Sequence, residues 1–311
     1  MNANILIETE GLTNEQWLSY RKQGIGGSDV SSIIGINRWK SEYELWLEKT
    51  SPDITETECN EAMEWGTLLE PVIRNHFSEI TGKPVIEVKA ILQHPEYPFM
   101  LADLDGITTD NEGNPAVLEI KTASEYKRSE WENAVPAYYE TQVQHYLFVT
   151  GLSTAYIAVL IGGNSFKLFE VKADAHIQEM LVTLESELWN KVQTLTAPDI
   201  DGSDTVKNML DEKYKGGDNE TLNMSEDDIT FINQYLAACA EEDNAKAKKQ
   251  YAANHIKEIL GNHNKAVCKG HTVTWKSVST ERFDSKALKE SDPDTYDKYT
   301  KVSVSRRLTI K

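Results

Sequence analysis

Hydrophobic positions along the chain switch between two spacings. Over residues 61–80 they fall three and four apart, at Ala62, Trp65, Leu69, Val72, Ile73 and Phe77, which predicts one long helix ended by Gly82. Pro71 inside it predicts a kink or a fresh first turn. Shorter helices are predicted over 13–22, with Thr13 as N-cap, and over 41–49, with a loop at 51–57. Short β-prone runs at 85–92, 99–107 and 116–121 predict three consecutive strands. The turn residues at 110–115 join the last two as a hairpin. Helices at 125–132 and 136–150 follow, then a hairpin of 156–161 with 166–171, then a long helix from Asp174 to about 195.

Past that point the pattern changes. Residues 199–224 read as a linker with at most one short helix near 206–214. Residues 225–260 are strongly helical, with Ile229, Ile232, Tyr235, Leu236 and Cys239 on one face. A hairpin about Lys269-Gly270, a helical stretch at 283–299 and a β-prone tail at 301–311 complete the chain. The expected organisation is a core over 1–198, a linker over 199–224 and an accessory region over 225–311. The core is of the α/β or α+β class, a central mixed sheet flanked by helices.

Composition narrows the function. The 311 residues are 40% hydrophobic, enough for a substantial core, and carry a net charge of -18. That balance argues against a basic DNA-coating protein. It leaves room for a metal-dependent nuclease, which sets bound cations and local positive patches against a negative average. From His263 onward the charge reverses, with eleven Lys and Arg against six Asp and Glu. The three cysteines, Cys59, Cys239 and Cys268, have no paired spacing. This speaks against zinc, iron–sulfur and disulfide frameworks and fits a reducing compartment. The polar, acidic first residues do not read as a signal peptide, and the run at 156–161 is too short to span a bilayer. A cytoplasmic protein is expected.

The candidate chemistry sits on the hairpin. Alternation along a strand puts Glu119 and Lys121 on one face and Leu118 and Ile120 on the other, with Asp105 on the neighbouring strand. Two converging carboxylates suit a hard cation such as Mg²⁺, and a lysine beside them can orient a water for attack on a phosphodiester. The plainer alternative is a solvated strand edge with a surface ion pair. In Gly26-Gly27-Ser28 the glycines let the backbone approach an anion, Ser28 adds a hydroxyl, and Arg21 can reach the same point. A simple capped helix start is the alternative there. No Gly-Lys-Ser/Thr follows, so this is not a P-loop. Glu70 either reaches a metal from the long helix or is a solvated carboxylate. Lys127 and Arg128, just after the Glu-x-Lys strand, are candidate phosphate contacts.

Five motifs in order resemble one family. They are Trp17-Leu-Ser-Tyr-Arg21 running on to Gly27-Ser28-Asp29, Trp65-Gly66 running on to Glu70-Pro71, Leu104-Asp105-Gly106, Leu118-Glu119-Ile120-Lys121, and Gln142-Val-Gln144-His-Tyr146. The chain resembles the YqaJ-type viral recombinases, in the λ-exonuclease-like branch of the PD-(D/E)xK nucleases, over about residues 13–195. The resemblance implies a restriction-endonuclease-like PD-(D/E)xK core. It also implies a Mg²⁺-dependent exonuclease that digests linear duplex DNA 5′ to 3′. The product would be 3′ overhangs for a single-strand annealing recombinase.

By the same resemblance, Asp105, Glu119, Glu70 and the Ile120 carbonyl would hold two Mg²⁺ ions, with Mn²⁺ as a substitute. Lys121 would position water, and Gln142 and Tyr146 would line the site. Arg21, Ser28 and Gly27 would take the 5′-phosphate. The compact enzymes of this branch form ring-shaped trimers, so a homo-oligomer is implied. Asp103 beside Asp105 and the residues beyond about 200 depart from the compact pattern. The alternatives are an endonuclease or junction resolvase of the same superfamily, and a non-catalytic DNA-binding scaffold. The intact Asp105, Glu119 and Lys121 speak against the scaffold.

Overall fold

The computed structural model describes residues 1–52, 60–217, 220–301 and 305–310. They divide into two units, Met1–Asn208 and Met209–Lys311, so the boundary falls within the stretch expected as a linker. Most of the expected loop at 51–57, Cys59, and part of the tail at 301–311 lie outside the described residues.

The first unit opens with β1 (Asn4–Glu8), which the polar N-terminal sequence did not predict, and α1 (Asn14–Arg21). Thr13 caps α1 with a full capping box, its hydroxyl accepting from Gln16 N–H while the Gln16 side chain accepts from Thr13 N–H. A two-residue strand, β2 (Ile25–Gly26), leads into α2 (Gly27–Ile33). Next comes α3 (Glu42–Thr50), boxed by Ser41 and Glu44. The long helix is α4 (Glu61–Thr81), continuous through Pro71 and closed by Gly82 in the left-handed region at φ 69°. Only Ile73 and Phe77 of its expected apolar face are buried, while Trp65 and Val72 are more than half exposed.

The expected strand at 85–92 shrinks to β3 (Ala90–Gln93). Upstream of it the backbone makes a single bridge, Ile86 to Ile107, and then passes along the wall of a cleft. The expected strand at 99–107 is two strands, β4 (Met100–Asp103) and β5 (Gly106–Thr109). Leu104 and Asp105 carry the chain from one sheet to another. β5 and β6 (Pro115–Ala123) form the expected hairpin, with Gly106 opposite Leu118. A 3₁₀ helix (Glu125–Trp131), α5 (Ala137–Thr150), the hairpin β7 (Thr154–Ile161) and β8 (Ser165–Lys172), and α6 (Ala175–Gln193) follow.

The strands make two four-stranded sheets, ordered β1-β3-β4-β2 and β5-β6-β7-β8. The second is mixed, because β6 runs antiparallel to β5 and parallel to β7. Its two faces are covered differently. Ala116, Leu118 and Ile120 pack under Ile73 and Phe77 of α4. Val117, Ala155 and Ile157 join Val143, Tyr146 and Leu147 of α5 in the largest core cluster, which also takes in Leu92 and Met100 of the first sheet. A third cluster ties Ile33 of α2 and Leu45 of α3 to Leu188 of α6. The fold is thus α+β with helices on both sides of the sheets.

The helix α7 (Asp204–Lys213) spans the division between units. The second unit then holds α8 (Ile229–Leu260), the hairpin β9 (Lys265–Cys268) and β10 (His271–Thr274), α9 (Ser285–Ser291) and α10 (Pro293–Tyr299). Lys269 and Gly270 both have positive φ, 45° and 82°, as a type I′ hairpin turn requires. The expected apolar face of α8 stays exposed at Ile229, Tyr235 and Leu236. The described residues of the tail form no strand. No helix among the described residues is long and apolar enough to cross a membrane.

Candidate active site

The site begins where the chain turns from the first sheet to the second. Asp105 stands at that corner, and its Oδ2 accepts the Ile120 N–H at 2.7 Å. The N–H and C=O of one residue in a strand point to the same side, so the Ile120 carbonyl turns toward the same corner. Glu119 and Lys121 leave β6 on the face opposite the α4 cluster, as alternation requires.

Glu119 is 2% exposed. Its Oε1 accepts from Lys121 Nζ at 2.5 Å and from Gln142 Nε2 at 2.7 Å. Its Oε2 is buried with no hydrogen-bond partner. Gln142 and Tyr146, one turn apart on α5, act together: the Gln142 amide also donates to the Tyr146 hydroxyl at 3.0 Å. Gly27 brings the glycine turn against them, since a Cβ there would lie 2.5 Å from Tyr146 Cε1 and 3.0 Å from Gln142 Cγ. The turn and the carboxylates therefore share one cleft. Lys121 also lies over the Tyr139 ring, 4.9 Å from its centroid.

Burial raises the pKa of the carboxylates in this cleft, and for Glu119, Asp105 and Glu70 a neighbouring carboxylate adds to it. Burial, then the charge of Asp105, pushes Glu119 up to about 8 against the pull of Lys121. Burial raises Asp105 too, opposed by Lys121 and the Ile120 N–H. Glu70 is raised by burial and by Asp105, and Asp103 by burial. Lys121 is held above the ordinary lysine value because Glu119 and Asp105 outweigh its burial. So much carboxylate, one oxygen of it buried and unpartnered, fits a divalent cation.

Most of the predicted residues meet here. Asp105, Glu119, Lys121, Gln142, Tyr146, Arg21, Ser28 and Glu70 all line the cleft. Glu70, however, is ion-paired with Arg74, whose guanidinium also reaches Glu87 at 3.5 Å. Among the described residues no three Asp, Glu, His or Cys side chains close around a single point. Glu70 nonetheless lines the same cleft as Asp105 and Glu119 and feels the charge of Asp105, so these three carboxylates and the Ile120 carbonyl are the groups that could hold a metal. Lys127 and Arg128 are not brought into the cleft. They pair with Glu130 at 3.0 Å and with Glu125 at 2.5 Å on their own 3₁₀ helix.

Sequence reasoning left one group open and gave two others no role. Asp103, left open beside Asp105, lines the cleft and accepts from the Trp17 indole N–H at 2.9 Å. Arg74 carries no motif signal beyond standing four residues after Glu70. Asp29, quoted only as the residue after Ser28, is buried under the glycine turn with Lys49.

A mixed sheet that presents a carboxylate at a strand junction and a Glu-x-Lys pair on the next strand defines the PD-(D/E)xK fold class. Residues 16–153 match the family model of the YqaJ-like viral recombinase domain. The chain is 37% identical over 314 residues to the "Uncharacterized protein YqaJ" of Bacillus subtilis (strain 168), spanning 99% of this chain and 98% of that protein. It belongs to the YqaJ family. Protein D345L of African swine fever virus (isolate Tick/South Africa/Pretoriuskop Pr4/1996) is 27% identical over 158 residues, 42% of this chain and 44% of its own. Among solved structures, LHK-Exo in complex with dAMP superposes with a TM-score of 0.51 at 21% identity, covering 59% of this chain and 94% of that one. Another structure of LHK-Exo, an alkaline exonuclease from Laribacter hongkongensis, gives 0.49 at 23% identity, covering 58% and 96%. At such identity the first likeness establishes the fold.

Proposed function

We propose that this protein is a divalent-cation-dependent exonuclease that degrades linear duplex DNA from its 5′ end and leaves 3′ overhangs. The observation that carries the reading is the buried Glu119 carboxylate, fixed at one oxygen by Lys121 and Gln142 and unpartnered at the other, facing Asp105 across the sheet junction. A solvated strand edge has no use for such burial. Family membership and the fold of an alkaline exonuclease support the same reading.

Mg²⁺, with Mn²⁺ as a substitute, would be held by Asp105, Glu119, the Ile120 carbonyl and Glu70. It would supply charge against the phosphodiester and acidity to a bound water. The chain's own residues do the rest. Gln142 and Tyr146 lock Glu119 in one orientation, so no carboxylate freedom is lost on binding. Lys121, charged at working pH, can donate to an attacking water or to a phosphate oxygen. Arg21 and Ser28, 3.1 Å apart, offer guanidinium and hydroxyl donors to a terminal phosphate at the cleft wall. A single-strand annealing recombinase as partner and a trimeric ring belong to the same proposal.

The test is digestion of linear duplex with a 5′-phosphate, linear duplex with a 5′-hydroxyl, and closed circular DNA, each with Mg²⁺ or EDTA. Loss of linear DNA alone, only with Mg²⁺ and faster from phosphorylated ends, is expected. Circles cut as readily as linear DNA would make this an endonuclease of the same fold.

A further inference from the structure

Behind the Arg21–Ser28 wall lies a buried charge cluster that the proposed chemistry has not used. Asp29 Oδ2 accepts from Lys49 Nζ at 2.9 Å and from the Gly26 N–H at 3.0 Å, and the Arg21 guanidinium stands beside it as a looser ion pair at 3.9 Å. Lys49 also donates to the Arg21 carbonyl at 3.1 Å. Their side chains are only 12% (Arg21), 8% (Asp29) and 3% (Lys49) exposed. Gly26 is part of the same packing, since a Cβ there would lie 1.7 Å from Arg21 Nη1. Trp17 covers the guanidinium at 5.6 Å.

Two cations share one carboxylate, so the cluster carries one uncompensated positive charge. The surrounding groups offset it only in part. His145 and Glu185 are a buried pair at 3.0 Å whose sum is neutral whichever of them holds the proton. Asp103, whose Oδ2 accepts from the neutral Trp17 indole, keeps its own charge, acts on Arg21 and offsets part of the excess. Glu48, which also attracts Lys49, is engaged by Lys40. Burial alone would raise Asp29, but Lys49 and then Arg21 hold it well below the usual carboxylate range. Burial pulls Lys49 below its ordinary value, against the attraction of Asp29. Buried charge in excess is costly unless an anion completes it. The cluster meets the cleft at Arg21, flanked there by Trp17 and Ser28.

We infer that Lys49 is a positioning residue for 5′-phosphate selection: by occupying Asp29 it leaves the Arg21 guanidinium free to bind a terminal phosphate. With Lys49 absent, Asp29 becomes the partner of Arg21 and the wall becomes electrically neutral. The inference rests on the proposal that this cleft receives DNA ends.

The test is binding of a short duplex with a 5′-phosphate or a 5′-hydroxyl end in EDTA, with digestion of both in Mg²⁺. Lys49→Met should lower the phosphate-over-hydroxyl affinity ratio at least about tenfold, the loss of roughly one charge-assisted hydrogen bond. Hydroxyl-end digestion should stay within about twofold. Lys49→Arg should keep the ratio. The Asp29→Asn/Lys49→Met double variant removes one charge of each sign, frees Arg21 again and should restore most of the ratio. A merely structural role for Lys49 predicts that the double variant is no better than the single one. That result would overturn the inference, as would an unchanged ratio in a folded Lys49→Met protein or equal binding of both ends by the wild type. Absence of digestion alongside the expected binding ratios would instead remove the nuclease reading and leave this one standing.

Discussion

The acidic cluster predicts how stability should respond to a cation at different pH. Glu119 titrates in the folded protein near 8, against an ordinary value of 4.5. Its folded pKa is raised, so its contribution to stability is present below about 4.5 and is lost as pH rises through about 8. A divalent cation needs the ionised carboxylate and must displace that proton. Well below pH 8 each unit should therefore strengthen cation binding about tenfold, or about 1.4 kcal/mol, with a smaller gain as pH nears 8. At a fixed excess of Mn²⁺ or Mg²⁺ this adds to the stabilisation conferred by binding. For a unit of roughly 200 residues that is about 3–6 °C of melting temperature per pH unit. Thermal melts at pH 6, 7 and 8, with cation and with EDTA, read the gap directly. The gap should widen with pH and level off above 8. In Glu119→Gln the slope should vanish. A gap of constant size, or an equal slope in the Gln variant, would refute the claim that Glu119 is the ionising ligand.

Other outcomes follow from the same geometry. Lys121→Ala should cut digestion at least about a hundredfold while duplex binding in EDTA is kept; full activity would remove Lys121 from the chemistry. Arg21→Ala should slow phosphorylated ends more than hydroxyl ends, and equal slowing would argue against a phosphate pocket. Gly27→Ala drives a methyl into Tyr146 and Gln142, so urea unfolding should show a loss of about 1–3 kcal/mol, with slower digestion because Glu119 loses its support. Glu185→Ala should cost about 3–5 kcal/mol, since it strands His145 without a counter-charge in the core; a melt within a degree of wild type would show that His145 is neutral and self-sufficient.

The sequence disclosed those features that are local. The Thr13 N-cap of α1 is read from its own few residues. The β5–β6 hairpin is written in its turn residues, and the Glu119–Lys121 face in simple alternation. What stayed hidden depends on distance along the chain. The Trp17 to Asp103 hydrogen bond joins residues 86 apart, and the Lys49 contact to Arg21 joins residues 28 apart. No periodicity registers such pairs. The break at Leu104–Asp105 was invisible for another reason: apolar alternation reports burial on a face, and a strand that leaves one sheet for another can remain buried throughout. Trp65 and Val72 failed in the opposite sense. Their helical spacing is regular, but α4 fully buries only Ile73 and Phe77 against the sheet, with Leu69 partly covered, and turns Trp65 and Val72 outward.

That break is also what makes the site. A single long strand from Met100 to Thr109 would place Asp103 and Asp105 on one face of one sheet, as the alternation suggests. Instead the chain changes sheets between them. Asp105 is free to turn onto the Ile120 N–H, while Asp103 stays with the first sheet and engages Trp17. The two acids thereby acquire different partners. One faces the Glu-x-Lys strand and the other backs the Arg21 wall through the indole. The cleft thus joins an acidic end, where a cation is expected, to a basic end, where a phosphate is expected, across a few residues of backbone. Each end would be unstable without its charge complement. An end of DNA with a cation beside its phosphate is a ligand that satisfies both at once.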